Sequence, residues 1–263
     1  MRPEIDAIIE LAIKAGAEIL RIYGEDFAVT LKDDASPVTE ADLRAEAIIL
    51  EGLGAIAPGI PVVAEESVAA GRVPESAERF FLVDPLDGSK EFVSRNGEFT
   101  VNIALVERGI PVLGVVYAPA LGQIWWGSEG GGAFHAAVAN GTVTDARKIA
   151  CQPCGENGLR VVGSRSHATP ELDTYLKTIP VTDFVSVGSS LKFCLVAEGR
   201  ADLYPRFGRT MEWDTAAGDA ILRAAGGRVR TLSDEPLVYG KRDQADETDF
   251  ANPFFIADSR PGK

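Results

Sequence analysis

The segment Asp84 to Ser89, with the sequence DPLDGS, places two carboxylates, a glycine and a hydroxyl directly after the apolar run Phe80 to Val83. Oxygen ligands of this kind suit hard cations such as Mg²⁺, and ions held at the end of a buried strand can meet a phosphate. Pro85 fixes one backbone dihedral angle, so both carboxylates can turn toward one point. An Asp-Pro turn followed by a glycine turn accounts for the same residues without any site. The motif alone leaves both interpretations open.

Further acidic residues stand where predicted elements begin or end. Glu65 and Glu66 follow a short predicted strand, and one carboxylate is expected to point inward, although a solvated strand end is the ordinary interpretation. Asp42 lies three residues after Thr39, which is the spacing of a helix capping box. Asp214 precedes the small-residue run TAAG and suits a helix N-cap. For each residue a role in a shared site is the alternative, and spacing does not separate the two.

Composition limits the class of protein. With 263 residues, of which 46% are hydrophobic, the chain is long enough to bury a substantial core. A formal net charge of −13 argues against a nucleic-acid partner, because that affinity comes largely from Lys and Arg. Small anionic substrates remain compatible if metal ions invert the local charge. Charged residues interrupt the apolar positions of residues 1–20, which predicts neither a signal peptide nor a membrane span and favours a cytoplasmic protein.

The few cysteines and histidines argue against several other kinds of site. Cys151, Cys154 and Cys194 are too few and odd in number for a disulfide framework. Cys151 and Cys154 have CxxC spacing, which fits a linker better than a redox pair. A structural zinc site is disfavoured because there is no second such pair and only two histidines, His135 and His167. The shortage of histidine also weakens any Ser-His-Asp scheme.

Hydrophobic periodicity predicts alternating helices and strands. Helices are predicted at 5–20 with a stop at Gly24, after Thr39 with an end near Gly52 or Gly54, and at 170–176, 189–198 and 215–225. Strands are predicted at 61–64, 80–83, 100–106, 112–117, 123–126, 159–162, 181–187 and 202–204, the third to fifth forming a meander. These elements predict an α/β or α+β layered sandwich of alternating helix and sheet layers.

The stretch 151–158 is the best candidate for a boundary within the chain, because glycine, proline and polar residues interrupt the periodic pattern there. We expect an N-terminal α+β half at residues 1–150, which carries most of the acidic site residues. The C-terminal α/β half at residues 151–263 is expected to close the site and contribute substrate contacts.

Long blocks of the chain resemble a known enzyme family. The segments AEES at 64–67, DPLDGSKEF at 84–92 and WDTAAG at 213–218 resemble the inositol-monophosphatase superfamily in their order and spacing. Further blocks are similar to the CysQ-type 3'(2'),5'-bisphosphate nucleotidases: NGEFTVNIALVE at 96–107, GSRSH at 163–167, GSSLKFCLVAEGRADLYPRFG at 188–208 and NPFF at 252–255. The resemblance runs across nearly the whole chain and implies a sugar-phosphatase-like fold.

The same resemblance implies a cluster of two or three Mg²⁺ ions. Its implied ligands are Glu65, Asp84, the carbonyl oxygen of Leu86, Asp87 and Asp214, with Asp84 bridging two ions. These oxygen ligands suit Mg²⁺. Four carboxylates would balance two divalent ions, so an incoming phosphate would meet a site that is not net repulsive.

The implied reaction is direct hydrolysis of a phosphomonoester, in which a metal-activated water attacks phosphorus in line. Ser89, paired with Asp42, is implied to orient and deprotonate that water, and Glu65 is implied to take part in catalysis. Ser89 departs from the commoner threonine. It keeps the hydroxyl but loses a methyl group that restricts the rotamer, so lower rather than abolished activity is expected.

Substrate contacts are predicted at Glu65, Leu86, Asp87, Gly88, Ser89, Ser164, Ser189, Lys192, Arg206 and Asp214. Arg206 stands near the position where inositol-specific relatives tend to carry an acid, and a cation suits a second phosphate better than a polyol. Arg165 and His167 are further candidates, and Phe207 or Tyr204 is a candidate to lie against a nucleobase. The predicted reaction converts 3'-phosphoadenosine 5'-phosphate to AMP and phosphate.

Two other functions remain as alternatives. The first is an inositol or sugar phosphate phosphatase that shares the metal site. The second is a catalytically inactive phosphonucleotide-binding protein, which is disfavoured because every implied ligand is present. The expected location is cytoplasmic. Peripheral attachment at the cytoplasmic face of the inner membrane is an alternative that no basic amphipathic segment supports.

Overall fold

The computed structural model describes residues 3–31, 37–75, 77–155, 157–164 and 169–260. Its α-helices are α1 (Ile5–Tyr23), α2 (Glu40–Ile56), α3 (Glu65–Ala69), α4 (Ser89–Val93), α5 (Pro170–Leu176), α6 (Leu191–Ala197) and α7 (Ala216–Ala224). Its strands are β1 (Val29–Leu31), β2 (Pro37–Thr39), β3 (Val62–Ala64), β4 (Arg79–Asp87), β5 (Thr100–Glu107), β6 (Ile110–Ala118), β7 (Gln123–Ser128), β8 (Gly132–Ala139), β9 (Thr142–Ile149), β10 (Leu159–Ser164), β11 (Val181–Val187), β12 (Leu203–Arg206), β13 (Arg228–Thr231) and β14 (Phe255–Asp258).

A seven-stranded sheet runs in the order β3-β4-β5-β6-β7-β8-β9. Strand β3 pairs in parallel with β4, and every later pair is antiparallel. The predicted meander is therefore confirmed, and β8 and β9 extend it. Most of β9 is exposed at the edge of the sheet, so it lacks the apolar alternation that would have marked it as a strand.

A five-stranded sheet has the order β11-β10-β12-β14-β13. Strand β10 pairs in parallel with both β11 and β12, whereas β14 pairs antiparallel with β12 and β13. All strands of the first sheet precede residue 150, and all strands of this sheet follow residue 158. The division into two halves at residue 150 stays a prediction.

Helices and sheets alternate in layers because the large sheet is apolar on both faces. On β5, Val101, Ile103 and Leu105 join the core formed with α1 and α2, while Ala104 and Val106 join the core formed with α6, α7 and the small sheet. Helix α5 covers the outer face of the small sheet, where its side chains pack against strands β10, β12 and β14. The predicted layered sandwich of helices and sheets is confirmed.

The first predicted helix is confirmed, and the predicted end of the second is corrected. Helix α1 ends before Gly24 as expected, but α2 continues through Gly52 and Gly54 to Ile56. A Cβ at Gly52 would lie 2.4 Å from Leu11 Cδ1. Gly52 therefore serves close packing between α1 and α2 and does not stop the helix.

Helix α7 approaches the large sheet just as closely. A Cβ at Gly114 on β6 would lie 2.3 Å from the backbone carbonyl oxygen of Ala217. Because Asp214 lies directly before α7, this contact also fixes the position of an acidic residue predicted for the site.

None of the helices within the described ranges is both long enough and apolar enough to span a membrane.

Candidate active site

The parallel pairing of β3 with β4 brings two predicted acidic residues to one edge of the large sheet. Ala64 is in register with Val83, so Glu65 and Asp84 follow directly at neighbouring positions. Glu65 is the first residue of α3 and lines a cavity, whereas Glu66 is buried. Glu65 is therefore partly enclosed and Glu66 is fully enclosed. The interpretation of these two acids as a solvated strand end is wrong.

The DPLDGS motif forms a turn and also places its two carboxylates on the wall of the cavity. Asp84 is paired with Asn102 and Asp87 with Thr100, so β4 carries one extra residue between these pairs. The backbone N–H of Leu86 donates a 3.0 Å hydrogen bond to Asp84 Oδ1. The bulge, stabilised by this bond, interrupts the regular ladder and leaves Asp84, Leu86 and Asp87 along the wall of the cavity.

Gly88 is required by the backbone conformation that follows. Its φ of 92° lies in the left-handed region, and a Cβ there would lie 3.2 Å from the carbonyl oxygen of Glu98. The chain then turns directly into α4 with Ser89 as its first residue. Ser89 Oγ lies 3.2 Å from Asp42 Oδ1 and 3.3 Å from the carbonyl oxygen of Leu86.

Asp42 also forms the predicted capping box. Its Oδ2 accepts hydrogen bonds of 2.8 Å from both the backbone N–H and the hydroxyl of Thr39 at the start of α2. Only 1% of Asp42 is exposed, so it reaches the cavity through Ser89. The structure places the capping contact and the contact with Ser89 on different oxygens of one carboxylate.

A hydroxyl and amide network fixes Asp87. Its Oδ2 accepts hydrogen bonds from Ser189 Oγ at 2.9 Å and Ser190 Oγ at 3.0 Å, and Asn102 Nδ2 lies 3.4 Å away. Ser190 Oγ also lies 2.8 Å from the carbonyl oxygen of Asp214. This network joins the bulge of β4 to the segment before α6 and to the segment before α7.

Asp214 is not the N-cap of α7, contrary to the simplest expectation from the sequence. The N-cap position belongs to Thr215, and Asp214 Oδ2 accepts a 2.9 Å hydrogen bond from the backbone N–H of Met211. Burial, together with the negative charges of Asp87 and Glu65, raises the pKa of Asp214 to about 8. The acidic residues are therefore close enough to repel one another, which is the electrostatic condition that a bound cation relieves.

One cavity of about 270 Å³ lies at the centre of this arrangement, and Asp42, Asn102 and Ser190 stand behind the residues that line it. Eleven of the residues predicted for metal or substrate contact line it: Glu65, Asp84, Leu86, Asp87, Gly88, Ser89, Ser164, Ser189, Lys192, Arg206 and Asp214. Tyr204 also lines it, whereas Phe207 does not. The walls come from segments on both sides of residue 150. Arg165 and His167 lie outside the described residues.

Four cationic side chains line the same cavity: Lys192 and Arg206 are buried, whereas Lys90 and Arg209 are exposed. Lys192 is 4% exposed, its ammonium donates to the carbonyl oxygens of Val187 and Ser189, and it lies 5.4 Å from the centre of the Tyr204 ring. Burial lowers the pKa of Lys192 to about 8. The Arg206 guanidinium donates to the carbonyl oxygens of Gly208 and Arg209, so it also orders the loop that follows β12.

The two aromatic candidates for a base contact differ in their surroundings. Tyr204 is 3% exposed and packs among core rings, so it contributes to the wall beneath Lys192. Phe207 is half-buried and lies between the rings of Tyr175 and Phe254, at centroid distances of 5.3 and 5.8 Å. Tyr204 is therefore a core residue, and Phe207 is the more accessible of the two.

The acidic residues have the chemistry of a site for hard divalent cations. Carboxylates and a backbone carbonyl line one wall, and their mutual repulsion is visible at Asp214. Across the part of the chain that the structure describes, no three acidic, histidine or cysteine side chains are grouped closely enough to enclose an ion in their present rotamers. Asp84, Asp87 and Asp214 each direct an oxygen at a protein donor.

Sequence patterns missed three polar residues around the site. Asn102 and Ser190 hold Asp87, and Glu46 on α2 contacts the segment after Glu65. Glu46 carries a recognisable signal, because it is a charged residue within the apolar stripe of an amphipathic helix. Asn102 lies in an apolar strand and is recognisable in the same way, whereas nothing local singles out Ser190.

Comparison with known proteins identifies the family. The model of the inositol monophosphatase family matches residues 1–258. The chain is 46% identical over 262 residues to a 3'(2'),5'-bisphosphate nucleotidase CysQ of Shigella flexneri, covering 95% of this chain and 98% of that protein. Its Salmonella typhimurium counterpart is 46% identical over 259 residues, with the same coverage.

Solved structures agree with this assignment. The crystal structure of CysQ from Bacteroides thetaiotaomicron, a bacterial member of the inositol monophosphatase family, superposes with a TM-score of 0.79. It is 42% identical to this chain and covers 97% of it and 96% of its own length. The matches in sequence and fold extend across the sheets and the cavity described above. The chain belongs to the inositol monophosphatase family.

Proposed function

We propose that this protein is a Mg²⁺-dependent 3'(2'),5'-bisphosphate nucleotidase that converts 3'-phosphoadenosine 5'-phosphate to AMP and phosphate. The observation that carries the proposal is the composition of one cavity, whose walls present both acidic oxygens and the two buried cations Lys192 and Arg206. A substrate with two phosphates needs both kinds of group. One phosphate reacts beside the acidic wall, and the other binds to cations.

Glu65, Asp84, the carbonyl oxygen of Leu86, Asp87 and Asp214 are the proposed ligands of two or three Mg²⁺ ions. Bound Mg²⁺ would supply Lewis-acid activation of water and neutralisation of phosphate charge. The ligand residues would hold these ions at the edge of the sheet where β3 and β4 end, and the ions would there offset the negative charge of the 3'-phosphate.

Ser89 and Asp42 are proposed to act on the attacking water. Ser89 Oγ accepts a hydrogen bond from the water and passes its own proton toward Asp42 Oδ1, which already lies 3.2 Å from it. The capping contact with Thr39 holds Asp42 in place during this transfer. Glu65 is proposed to contribute from the end of the neighbouring strand β3, and the backbone amides of Gly88 and Ser89 are proposed to face the phosphate oxygens.

Lys192 and Arg206 are proposed to bind the 5'-phosphate, and Ser164 and Ser189 to complete the polar contacts. Both cations are already anchored to backbone carbonyl oxygens. They therefore present their remaining N–H groups with little loss of side-chain entropy on binding. The proposal retains a cytoplasmic location, which is supported by three cysteines that are all free thiols.

A comparison of substrates tests the proposal. Phosphate release from 3'-phosphoadenosine 5'-phosphate, inositol 1-phosphate and fructose 1,6-bisphosphate is measured with Mg²⁺ and again with EDTA. We expect kcat/KM for the nucleotide to exceed the other values at least tenfold and EDTA to abolish all activity. Faster hydrolysis of inositol 1-phosphate than of the nucleotide would contradict the proposed substrate and would indicate a polyol phosphatase.

The metal site is tested by one substitution and a matched control. Asp84→Asn removes a charge from the cavity wall, and Asp26→Asn removes a charge from an exposed position. The first variant is expected to lose nearly all phosphate release and the second none. Unchanged phosphate release in Asp84→Asn contradicts the assignment of the metal site, whichever substrate is hydrolysed.

A further inference from the structure

Helix α2 carries a buried carboxylate that no step of the proposed reaction uses. Its inward face consists of small and aliphatic side chains, interrupted by Asp42 and Glu46. Only 3% of Glu46 is exposed. Burial of a carboxylate costs free energy that an aliphatic side chain at this position would avoid, so the acid needs compensating contacts.

Both oxygens of Glu46 have such contacts in the segment that contains Glu65. Glu46 Oε2 accepts a 2.8 Å hydrogen bond from the backbone N–H of Glu66, and Oε1 accepts a 2.7 Å hydrogen bond from Ser67 Oγ. Glu66 and Ser67 belong to the first turn of α3, whose own N-cap residue, Ala64, provides no side-chain acceptor. Glu46 therefore caps α3 from a different helix.

The residue next to these contacts is Glu65, the first residue of α3, whose side chain lines the cavity. We infer that Glu46 is a positioning residue that sets the direction of Glu65 through the backbone of Glu66 and the hydroxyl of Ser67. This inference rests on the proposed role of Glu65 as a metal ligand. It adds a residue that touches neither metal nor substrate and acts only through α3.

The position of Glu46 on α2 gives the contact a second consequence. Asp42 lies one helical turn earlier on the same face and contacts Ser89. Four residues of an α-helix span about 6 Å along its axis. Helix α2 therefore connects the α3 segment to the DPLDGS turn as one rigid element. It thereby fixes the distance between two walls of the cavity.

Three variants separate positioning from general stability. Glu46→Leu removes both contacts and retains an apolar fit. Glu46→Gln keeps an acceptor for Glu66 N–H and offers its amide N–H₂ to Ser67 Oγ. Ile49→Ala is the matched control. Ile49 is fully buried one turn further along the same helix, its truncation is expected to destabilise the fold, and its side chain has no polar atom that could bond α3.

The principal measurement is the affinity for Mg²⁺ alone, obtained by calorimetric titration of the full-length protein with MgCl₂ in the absence of substrate. We expect Glu46→Leu to weaken binding by about 10- to 100-fold, as removal of partners of metal ligands does elsewhere. Glu46→Gln should stay within about threefold of the original protein, as should Ile49→Ala. Wild-type affinity in Glu46→Leu, or an equal loss in Ile49→Ala, would overturn the inference.

A fourth variant, Ser67→Ala, tests the inference if Glu46→Leu does not fold. Ser67→Ala removes one of the two contacts and leaves Glu46 bonded to the backbone, so a smaller loss of Mg²⁺ affinity is expected. No loss in that variant counts against the inference. The titration is independent of the substrate: if the original protein binds Mg²⁺ but does not hydrolyse the nucleotide, only the proposed activity fails. If it binds no Mg²⁺, both proposals fail.

Discussion

Ser89 Oγ lies 3.2 Å from Asp42 Oδ1, while Oδ2 of the same aspartate accepts two hydrogen bonds from Thr39 at the start of α2. A capping residue of one helix is thereby joined to the first residue of another, α4. The capping role and the proposed catalytic role, which spacing along the chain does not distinguish, involve separate oxygen atoms of one side chain. They can therefore be disrupted independently.

Substitutions at Ser89 and Thr39 should separate these two roles. Ser89→Ala removes the hydroxyl that faces the cavity, so kcat is expected to fall by roughly 10²- to 10⁴-fold. Thr39→Ala removes the capping hydroxyl but leaves the contact between Asp42 and Ser89. We expect it to cost about 1 kcal/mol of unfolding free energy and to leave kcat within a few-fold. Steady-state kinetics and urea denaturation measure the two quantities.

Ser89→Thr is the conservative control for this prediction, because it preserves the hydroxyl and restricts its rotamer. Its kcat should equal or exceed that of the original protein. Equal kcat in Ser89→Ala and Ser89→Thr would show that the hydroxyl at position 89 takes no part in catalysis.

The charge of Lys192 should make substrate preference depend on pH. Burial lowers the pKa of Lys192 to about 8; Asp87, Glu91 and Glu98 oppose this shift, whereas Arg206 adds to it. Above that pH the ammonium loses its proton and therefore its attraction for a second phosphate. The ratio of kcat/KM for 3'-phosphoadenosine 5'-phosphate to kcat/KM for 3'-AMP should fall by roughly tenfold between pH 7 and pH 9. Effects on the shared hydrolytic step cancel in this ratio.

Lys192→Arg and Lys192→Met are the controls for the pH profile. Arginine keeps its charge throughout this range, so the ratio should become independent of pH at a high value. Methionine has no charge, so the ratio should be independent of pH at a low value. An unchanged slope in Lys192→Met would assign the titration to another group.

Mg²⁺ should stabilise the folded protein as well as activate it. A ligand present at 100 times its Kd adds about 2.7 kcal/mol to the unfolding free energy. For a chain of this length each kcal/mol raises Tm by roughly 2–4 °C, so saturating MgCl₂ should raise Tm by at least about 5 °C. Asp214→Asn should largely abolish that shift, and Asp26→Asn should retain it. Differential scanning calorimetry of the three proteins provides the measurement, and an undiminished shift in Asp214→Asn would exclude this residue as a ligand.

The close approach of α7 to the sheet predicts a sharp response to one methyl group. Gly114→Ala would place Cβ 2.3 Å from the carbonyl oxygen of Ala217, so α7 must move away from β6. We expect a loss of about 1–3 kcal/mol in unfolding free energy, and reduced kcat because Asp214 moves with the helix. Both are measured on the same preparation.

Gly54→Ala provides a control in which the added methyl group meets no atom within 4 Å. Gly54 lies inside α2, where alanine favours the helix, so this variant should gain about 0.5–1 kcal/mol and keep its activity. A stable and active Gly114→Ala variant would show that the contact between α7 and β6 tolerates expansion.

The parts of the site that depend on neighbouring residues were predictable from the sequence. The capping box of Thr39 and Asp42 is encoded within four residues. The proximity of Glu65 and Asp84 follows from two apolar strands that end at the same edge. The family resemblance added Asp214, whose distance along the chain gives no indication of where its side chain lies.

The missed features depend on partners that local patterns do not reveal. Glu46 contacts a residue 20 positions away, and Asn102 contacts Ser190 across 88 positions. Asp214 was expected to cap α7, but its carboxylate instead accepts a hydrogen bond from Met211 within the preceding turn. For Glu46 and Asn102, packing of distant segments decides which partner the polar group contacts, whereas the contact of Asp214 with Met211 is local.

The hydroxyl of Ser190 bonds to the side chain of Asp87 and to the backbone of Asp214, so three distant segments of the chain meet at one atom. Contacts of this kind form late in folding, because long loops must close before the contacts return free energy. During refolding from urea, helical circular dichroism should therefore recover before hydrolytic activity. We expect the onset of enzymatic turnover to mark the docking of α6 and α7, before which partly folded chains should show no activity.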